Sequence, residues 1–336
     1  MTSSDLLNIY SSDSHIRPVD IRKDLDDIAN LIDLCFSETM DEDGRAYLRQ
    51  LRKSAEEAKR MGWAVGLVEE NVIPISGFVW VESDRIIGNL TLIPMQKQDK
   101  PIHLVANVAV LPEYRRAGIG KKLTQAAIDY VQEKKSGSIW LQVRDDNIAA
   151  EQLYRNLGFV ERARRTTWHS YTGDPKPAVI PGYDITSCWP VDWQKEIQYL
   201  ENIYPPLVQW NLPVNFLKFK PTFLSQVAKV LLGESHRNWA LRKNGELIGV
   251  LIWEEARTWA DNLWVGCKPE YKETVLNILL PHAMSILQRK QPQALNYPAG
   301  EVEQVFSRYG FQKHITLIWM ELVESKLTNS HILASI

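Results

Sequence analysis

The chain has 336 residues, more than one compact domain usually holds and close to the size of two. Hydrophobic residues make up 45% and charged residues 24%, with only 17 Gly and 17 Pro, which excludes collagen-like, low-complexity and disordered classes. Lys and Arg total 39 against 41 Asp and Glu, a net charge of -2, so nothing draws the whole molecule to a phosphate backbone or an anionic membrane and any anion site must be local.

Residues 1–13 are expected to be a flexible N-terminus. A short extended run over 16–20 precedes Leu25, Ile28, Leu31, Ile32, Leu34, Cys35 and Phe36, which recur at helical spacing. A charged helix over 45–60 leads into three β-rich runs at 64–69, 75–81 and 86–94, broken by Asn71, Pro74, Gly77 and a Ser83-Asp84 turn. A strand at 104–111, a helix at 118–133 and a strand at 138–144 make one β-α-β unit. A short helix at 148–157 and a strand-like run at 159–171 follow. The segment 172–184 opens with TGDPKPAVIPG, which holds three prolines and is the expected linker. Beyond it come an apolar run with an Asn244-Gly245 turn at 241–253, a strand at 262–266 and helices at 275–287 and 302–309.

The second half repeats the first. Arg85 to Leu90 (RIIGNL) matches Glu246 to Leu251 (ELIGVL), Pro112-Glu113-Tyr114 matches Pro269-Glu270-Tyr271, and Leu153 to Phe159 (LYRNLGF) matches Val305 to Phe311 (VFSRYGF). Three matches in the same order predict two copies of one α/β domain, 14–171 and 185–324, with a tail at 325–336. Cys35, Cys188 and Cys267 lack any CxxC or Cys/His spacing, so neither a disulfide framework nor a zinc cluster is expected. With no signal-like N-terminus and no apolar run long enough for a bilayer, a cytoplasmic protein with no membrane partner is expected.

The most informative stretch is 108–123, VAVLPEYRRAGIGKKL. A strand ends, a turn carries two arginines and two glycines, and a helix begins, so backbone N–H groups at the positive helix end converge where a phosphate would sit. Arg115, Arg116, Lys121 and Lys122 add positive charge at the rim. This turn, Arg115-x-x-Gly118-x-Gly120, together with Asn147-x-x-Ala150-x-x-Leu153-Tyr154-x-x-x-Gly158-Phe159 downstream, resembles the GNAT superfamily of acyl-CoA-dependent N-acyltransferases. The resemblance covers about 14–171. It implies an α/β fold with two tandem domains, each a twisted mixed sheet splayed where two parallel strands part and flanked by helices.

The resemblance also implies acetyl-CoA as cosubstrate with no metal. Val108, Ala109 and Val110 would line the pantetheine arm, and Arg115, Arg116, Ala117, Gly118, Ile119, Gly120 and Lys121 would hold the pyrophosphate. Asn147 would face the pantetheine, unless it only caps the helix starting at Ile148. Tyr154 would approach the thioester sulfur, unless it is an ordinary packing aromatic. The expected activity is N-acetylation of a primary amine on a small molecule or peptide, with a non-catalytic acyl-CoA sensor as the alternative. Strand 101–110, PIHLVANVAV, offers no carboxylate as base; His103 is its one titratable group, and the acidic loop Glu38, Asp41, Glu42, Asp43 is a candidate acceptor border. In the second copy Arg115, Gly118, Gly120 and Tyr154 become Lys272, Val275, Asn277 and Phe306, so that domain is expected to be non-catalytic. Nucleic-acid binding through Arg115, Arg116, Arg162, Arg164 and Arg165 is disfavoured by the charge balance. A homodimer is left open.

Overall fold

The computed structural model describes residues 15–61, 76–97, 100–170, 180–220, 235–256, 259–287 and 291–323. The expected N-terminal segment 1–13, the β-rich run 64–69, most of the linker 172–184 and the tail 325–336 lie outside the described residues. The chain divides into two compact units, 1–162 with 319–336, and 163–318.

In the first unit β1 (Ile16–Pro18) leads to α1 (Leu25–Phe36), whose Leu25, Ile28, Ala29, Leu31 and Ile32 share one face and are buried. Helix α2 (Glu42–Met61) is joined to α1 by Arg52–Asp33 at 2.7 Å and by Lys59–Asp26. Strands β2 (Ser76–Glu82) and β3 (Arg85–Lys97) form a hairpin over Ser83 and Asp84, whose φ angles of 46° and 60° match the strand twist. β4 (Lys100–Val110) pairs antiparallel with β3, and α3 (Ile119–Glu133) carries the chain across to β5 (Ser138–Arg144), parallel to β4. Helix α4 (Ile148–Asn156) and the start of strand β6 (Phe159–Ser170) complete the run. Gly88 on β3 lies under α3, where a Cβ would stand 3.0 Å from Ile119 and 3.1 Å from Leu123. Asn89, one residue on, therefore faces the opposite side of the sheet.

The second unit contains β7 (Tyr183–Thr186), α5 (Trp193–Ile203), α6 (Pro206–Gln209), β8 (His236–Lys243), β9 (Glu246–Glu254), β10 (Asp261–Cys267), α7 (Lys272–Leu287), β11 (Gln293–Pro298), α8 (Glu303–Arg308) and most of β12 (Phe311–Leu322). Its sheet runs β7-β8-β9-β10-β11, then the 165–170 part of β6, antiparallel except for the β10–β11 pair. The plan of the first unit recurs: an Asn244-Gly245 hairpin at φ 50° and 80°, a tight Pro269–Tyr271 turn like Pro112–Tyr114, a long helix, a parallel strand and a short helix. Even the glycine under the long helix is repeated, since a Cβ at Gly249 would stand 2.5 Å from Val275. The unit boundaries fall inside β6 and β12, each of which has residues in both units.

Candidate active site

The pairing of β4 with β5 runs from Ile102↔Ser138 to Val105↔Leu141 and stops, although both strands continue. Beyond that point they part. On its other edge β4 stays bound to β3, with Leu111 N–H donating to Ile87 O at 2.9 Å, so by strand alternation the Val110 N–H and C=O face the gap. The Val110 carbonyl is held there by Arg115 Nε at 3.1 Å and by the Cys35 thiol at 3.4 Å.

The turn that follows is built on left-handed backbone. Arg116 has φ 65° and Gly118 φ 81°, the latter at the N-cap of α3, where no side chain caps the helix. Gly118 O accepts the first helical bond, from Lys122 N at 3.0 Å, so the N–H groups of Ile119, Gly120 and Lys121 have no partner within the helix. Arg115 to Gly118 and Lys121 are exposed, Ile119 is buried, and nothing lies within 4 Å of where a Gly118 Cβ would be. A left-handed residue running into right-handed helical ones, as Gly118 runs into Ile119, points successive N–H groups at one concavity, an anion nest. A Cβ at Gly120 would sit 3.7 Å from Leu153 and 4.0 Å from Val108 and Val110, so the gap edge, the helix end and α4 meet here. Ala109 is buried on the opposite side of β4 from Val108 and Val110. Lys122 turns away, its ammonium 5.2 Å from the Trp80 ring centre.

Asn147 is the N-cap of α4, its Oδ1 accepting from Ala150 N at 3.1 Å. Tyr154 is 7% exposed and edge-on to Phe159, with ring centres 6.0 Å apart. Burial alone pushes its phenol up to about 12. His103 lies in the fully paired part of β4, bonded to Ser136 Oγ at 3.0 Å, and burial lowers its pKa. In the acidic loop Asp41 Oδ1 accepts from Gly44 N at 2.8 Å and Glu42 pairs with Arg49 at 3.0 Å; the Asp43 side chain lies outside the described residues.

One constellation escaped the sequence reading. β4 carries a bulge, because Asn89 pairs with Ala109 while Thr91 pairs with Ala106, leaving Asn107 and Val108 opposite one residue. Asn107 has φ 50°. Its Nδ2 donates to the Tyr47 hydroxyl of α2 at 3.2 Å, and its carbonyl accepts from Asn89 Nδ2 at 3.0 Å. Asn inside an otherwise apolar strand is disfavoured by β-propensity, and that was the available signal.

At the equivalent place in the second unit β10 and β11 pair over three residues, Asp261↔Gln293 to Leu263↔Leu295. Helix α7 begins at Lys272, so Val275 and Asn277 lie inside it. Val275 is fully buried, and the Asn277 side chain is held by Arg308 Nη1 at 2.9 Å and Tyr309 Oη at 3.2 Å. Lys272 pairs with Glu301 at 2.5 Å, and Phe306 is buried against Tyr297, ring centres 5.3 Å apart. Among the described residues no three His, Cys, Asp or Glu side chains gather as a metal site would require, and no helix is long and apolar enough to cross a membrane.

Residues 29–159 match the Acetyltransferase (GNAT) family. The ribosomal protein bS18-alanine N-acetyltransferase of Escherichia coli (strain K12) is 36% identical over 80 residues, 24% of this chain and 54% of that protein. The mycothiol acetyltransferase of Renibacterium salmoninarum is 39% identical over 111 residues, 31% of this chain and 32% of that protein. The chain thus spans about half or less of the length of these curated relatives. In fold, a GCN5-related N-acetyltransferase from Sphaerobacter thermophilus superposes with a TM-score of 0.57 at 14% identity, over 93% of this chain and 96% of that one.

Proposed function

Residues 29–159 belong to the GNAT acetyltransferase family, and from that premise we propose that the chain is an acetyl-CoA-dependent N-acetyltransferase acting on a primary amine of a small molecule or peptide by direct attack in a ternary complex. The observation that carries this reading is the meeting of an uncapped, glycine-opened helix N-terminus with the parting of β4 from β5. The N–H groups at 119–121, with Arg115, Arg116 and Lys121 at the rim, suit a pyrophosphate. The gap-facing edge of Val108 to Val110 suits the amide-bearing pantetheine arm, with Asn147 at its border. A strand N–H near Val108 would stabilise the oxyanion.

With its phenol at about 12, Tyr154 stays protonated across the working range. Handing that proton to a thiolate of ordinary pKa would be uphill by about 5 kcal/mol, so Tyr154 acts here as a hydrogen-bond donor to charge developing on sulfur. The attacking amine must be neutral, and with His103 occupied away from the gap its proton leaves through water. The 163–318 unit takes no part in the chemistry, since at the cradle position it has a buried valine and a bonded asparagine.

That no carboxylate stands on β4 favours a second reading, an acyl-CoA sensor without turnover. One experiment separates the two. The whole chain is incubated with acetyl-CoA and a panel comprising an alanine-initiated peptide, glucosamine and spermidine, and free CoA and acetylated amine are measured. Release of CoA matched by an acetylated panel member is expected. Tight acetyl-CoA binding with no release for any amine would make it a sensor, and no binding would overturn both.

A further inference from the structure

The bulge of β4 is tied down at both ends of one residue. Asn107 holds a left-handed φ of 50°, which costs energy for a residue with a Cβ, least for Asn, and inside a strand calls for enforcement by its surroundings. Here the enforcement comes from two other elements: the Tyr47 hydroxyl on α2 takes the Asn107 side chain at 3.2 Å, and Asn89 on β3 takes its carbonyl at 3.0 Å. Asn89 also donates to Thr91 Oγ1 at 3.3 Å, while its own Oδ1 is buried with no hydrogen-bond partner. Such an unsatisfied group in a core is uncommon and calls for a reason. Tyr47 is half-buried, and burial raises its phenol against hydrogen bonds from Asn107 and Thr91 that pull the other way, so it is neutral. The residue after Asn107 is Val108, the first of the gap-lining residues.

We propose that Tyr47, Asn89 and Asn107 are positioning residues that lock the bulge of β4 and so set the direction of the Val108 N–H toward the thioester carbonyl oxygen. This rests on the acetyltransferase reading above. The physical demand is geometric: an oxyanion donor contributes only when aimed at the oxygen's place in the transition state, and a bulge free to relax toward regular β-structure would turn it away. None of Tyr47, Asn89 and Asn107 belongs to the cradle at 115–121, so their loss should fall on rate and not on cofactor binding.

Two single variants and their double variant test this in the whole chain. Tyr47→Phe keeps the ring and removes the acceptor for Asn107 Nδ2. Asn107→Gly adopts φ 50° without strain but has no side chain to tether. Turnover is read on the panel amine that reacts fastest and on acetyl-CoA hydrolysis by water, which uses the same oxyanion donor. Each single variant is expected to lower kcat about 10- to 100-fold, with the acetyl-CoA Kd and the amine KM held within about 3-fold. The double variant should be no worse than the worse single, since both remove one interaction. Wild-type kcat in either single variant, additive losses, or a Kd that weakens in step with kcat would overturn the positioning role. A wild-type chain that neither binds nor turns over acetyl-CoA would instead overturn the enzymatic reading on which it rests.

Discussion

Tyr154 carries the sharpest question at the scale of single residues, because its burial suits packing and proton donation alike. A ring 7% exposed and edge-on to Phe159 is good packing, and the same burial raises the phenol to about 12 and keeps its proton available for donation. Tyr154→Phe preserves the ring and deletes only the donor. We expect kcat to fall about 10- to 1000-fold with acetyl-CoA affinity nearly unchanged, because the lost bond acts on charge that appears only as the thiolate departs. Steady-state kinetics beside calorimetric Kd values check it; affinity falling together with rate would make Tyr154 a packing residue. Asn147 likewise has a structural duty that is certain, the α4 cap, whatever it does for a ligand.

Among the elements, α5 holds a group whose ionisation should be measurable in stability. Glu196, in its first turn, is 1% exposed, and burial is the main cause that pushes it up to about 7 from an ordinary 4.5, with Asp192 adding to the rise while Cys188 and Arg242 oppose it. The folded state therefore holds this proton more tightly than the unfolded chain. Below about pH 4.5 the group costs nothing, the penalty grows as pH rises toward 7, and above 7 it is complete, at about 3 kcal/mol. Glu196→Gln should accordingly stabilise the protein at pH 8 and change little at pH 5, read from denaturant midpoints at the two pH values. Equal effects at both would show that Glu196 does not titrate in this range. The neighbouring Arg242 is spent on Asp192 at 2.6 Å and beneath the Trp189 ring, which fixes the entry to α5.

For the whole molecule the question is how many cofactors one chain binds. The two units share a plan, yet the first opens its long helix with a left-handed glycine facing empty space, and the second runs its helix through that point with a buried valine. We expect one acetyl-CoA per chain by calorimetry. Gly118→Val should abolish it, because a β-branched residue cannot hold φ 81° cheaply and its side chain would stand where the pyrophosphate approaches. Two equivalent sites, or normal affinity in that variant, would refute the placement.

What could be read without the fold was what is decided within a few residues. Helices α1, α3 and α4, the two hairpin turns and the strand-to-helix turn at 115–120 all rest on local periodicity, turn chemistry and glycine placement, and each stands in the structure near its expected bounds. Strands β7, β11 and β12 and helix α5 are not legible in the sequence, being short or interrupted by polar residues whose meaning depends on what packs against them. The tether at Asn107 was beyond reach for a stronger reason: Tyr47 is 60 residues away, and only folding α2 onto that face of the sheet brings its hydroxyl to the bulge. The parting of β4 and β5 after Val105↔Leu141, the burial that raises Tyr154 and the closing of the second cradle by Arg308 and Tyr309 are likewise consequences of tertiary contact. Torsions and helix ends answer to their immediate neighbours, whereas the aim of a backbone N–H and the pKa of a buried phenol answer to groups distant in the chain, and those are known only once it has folded.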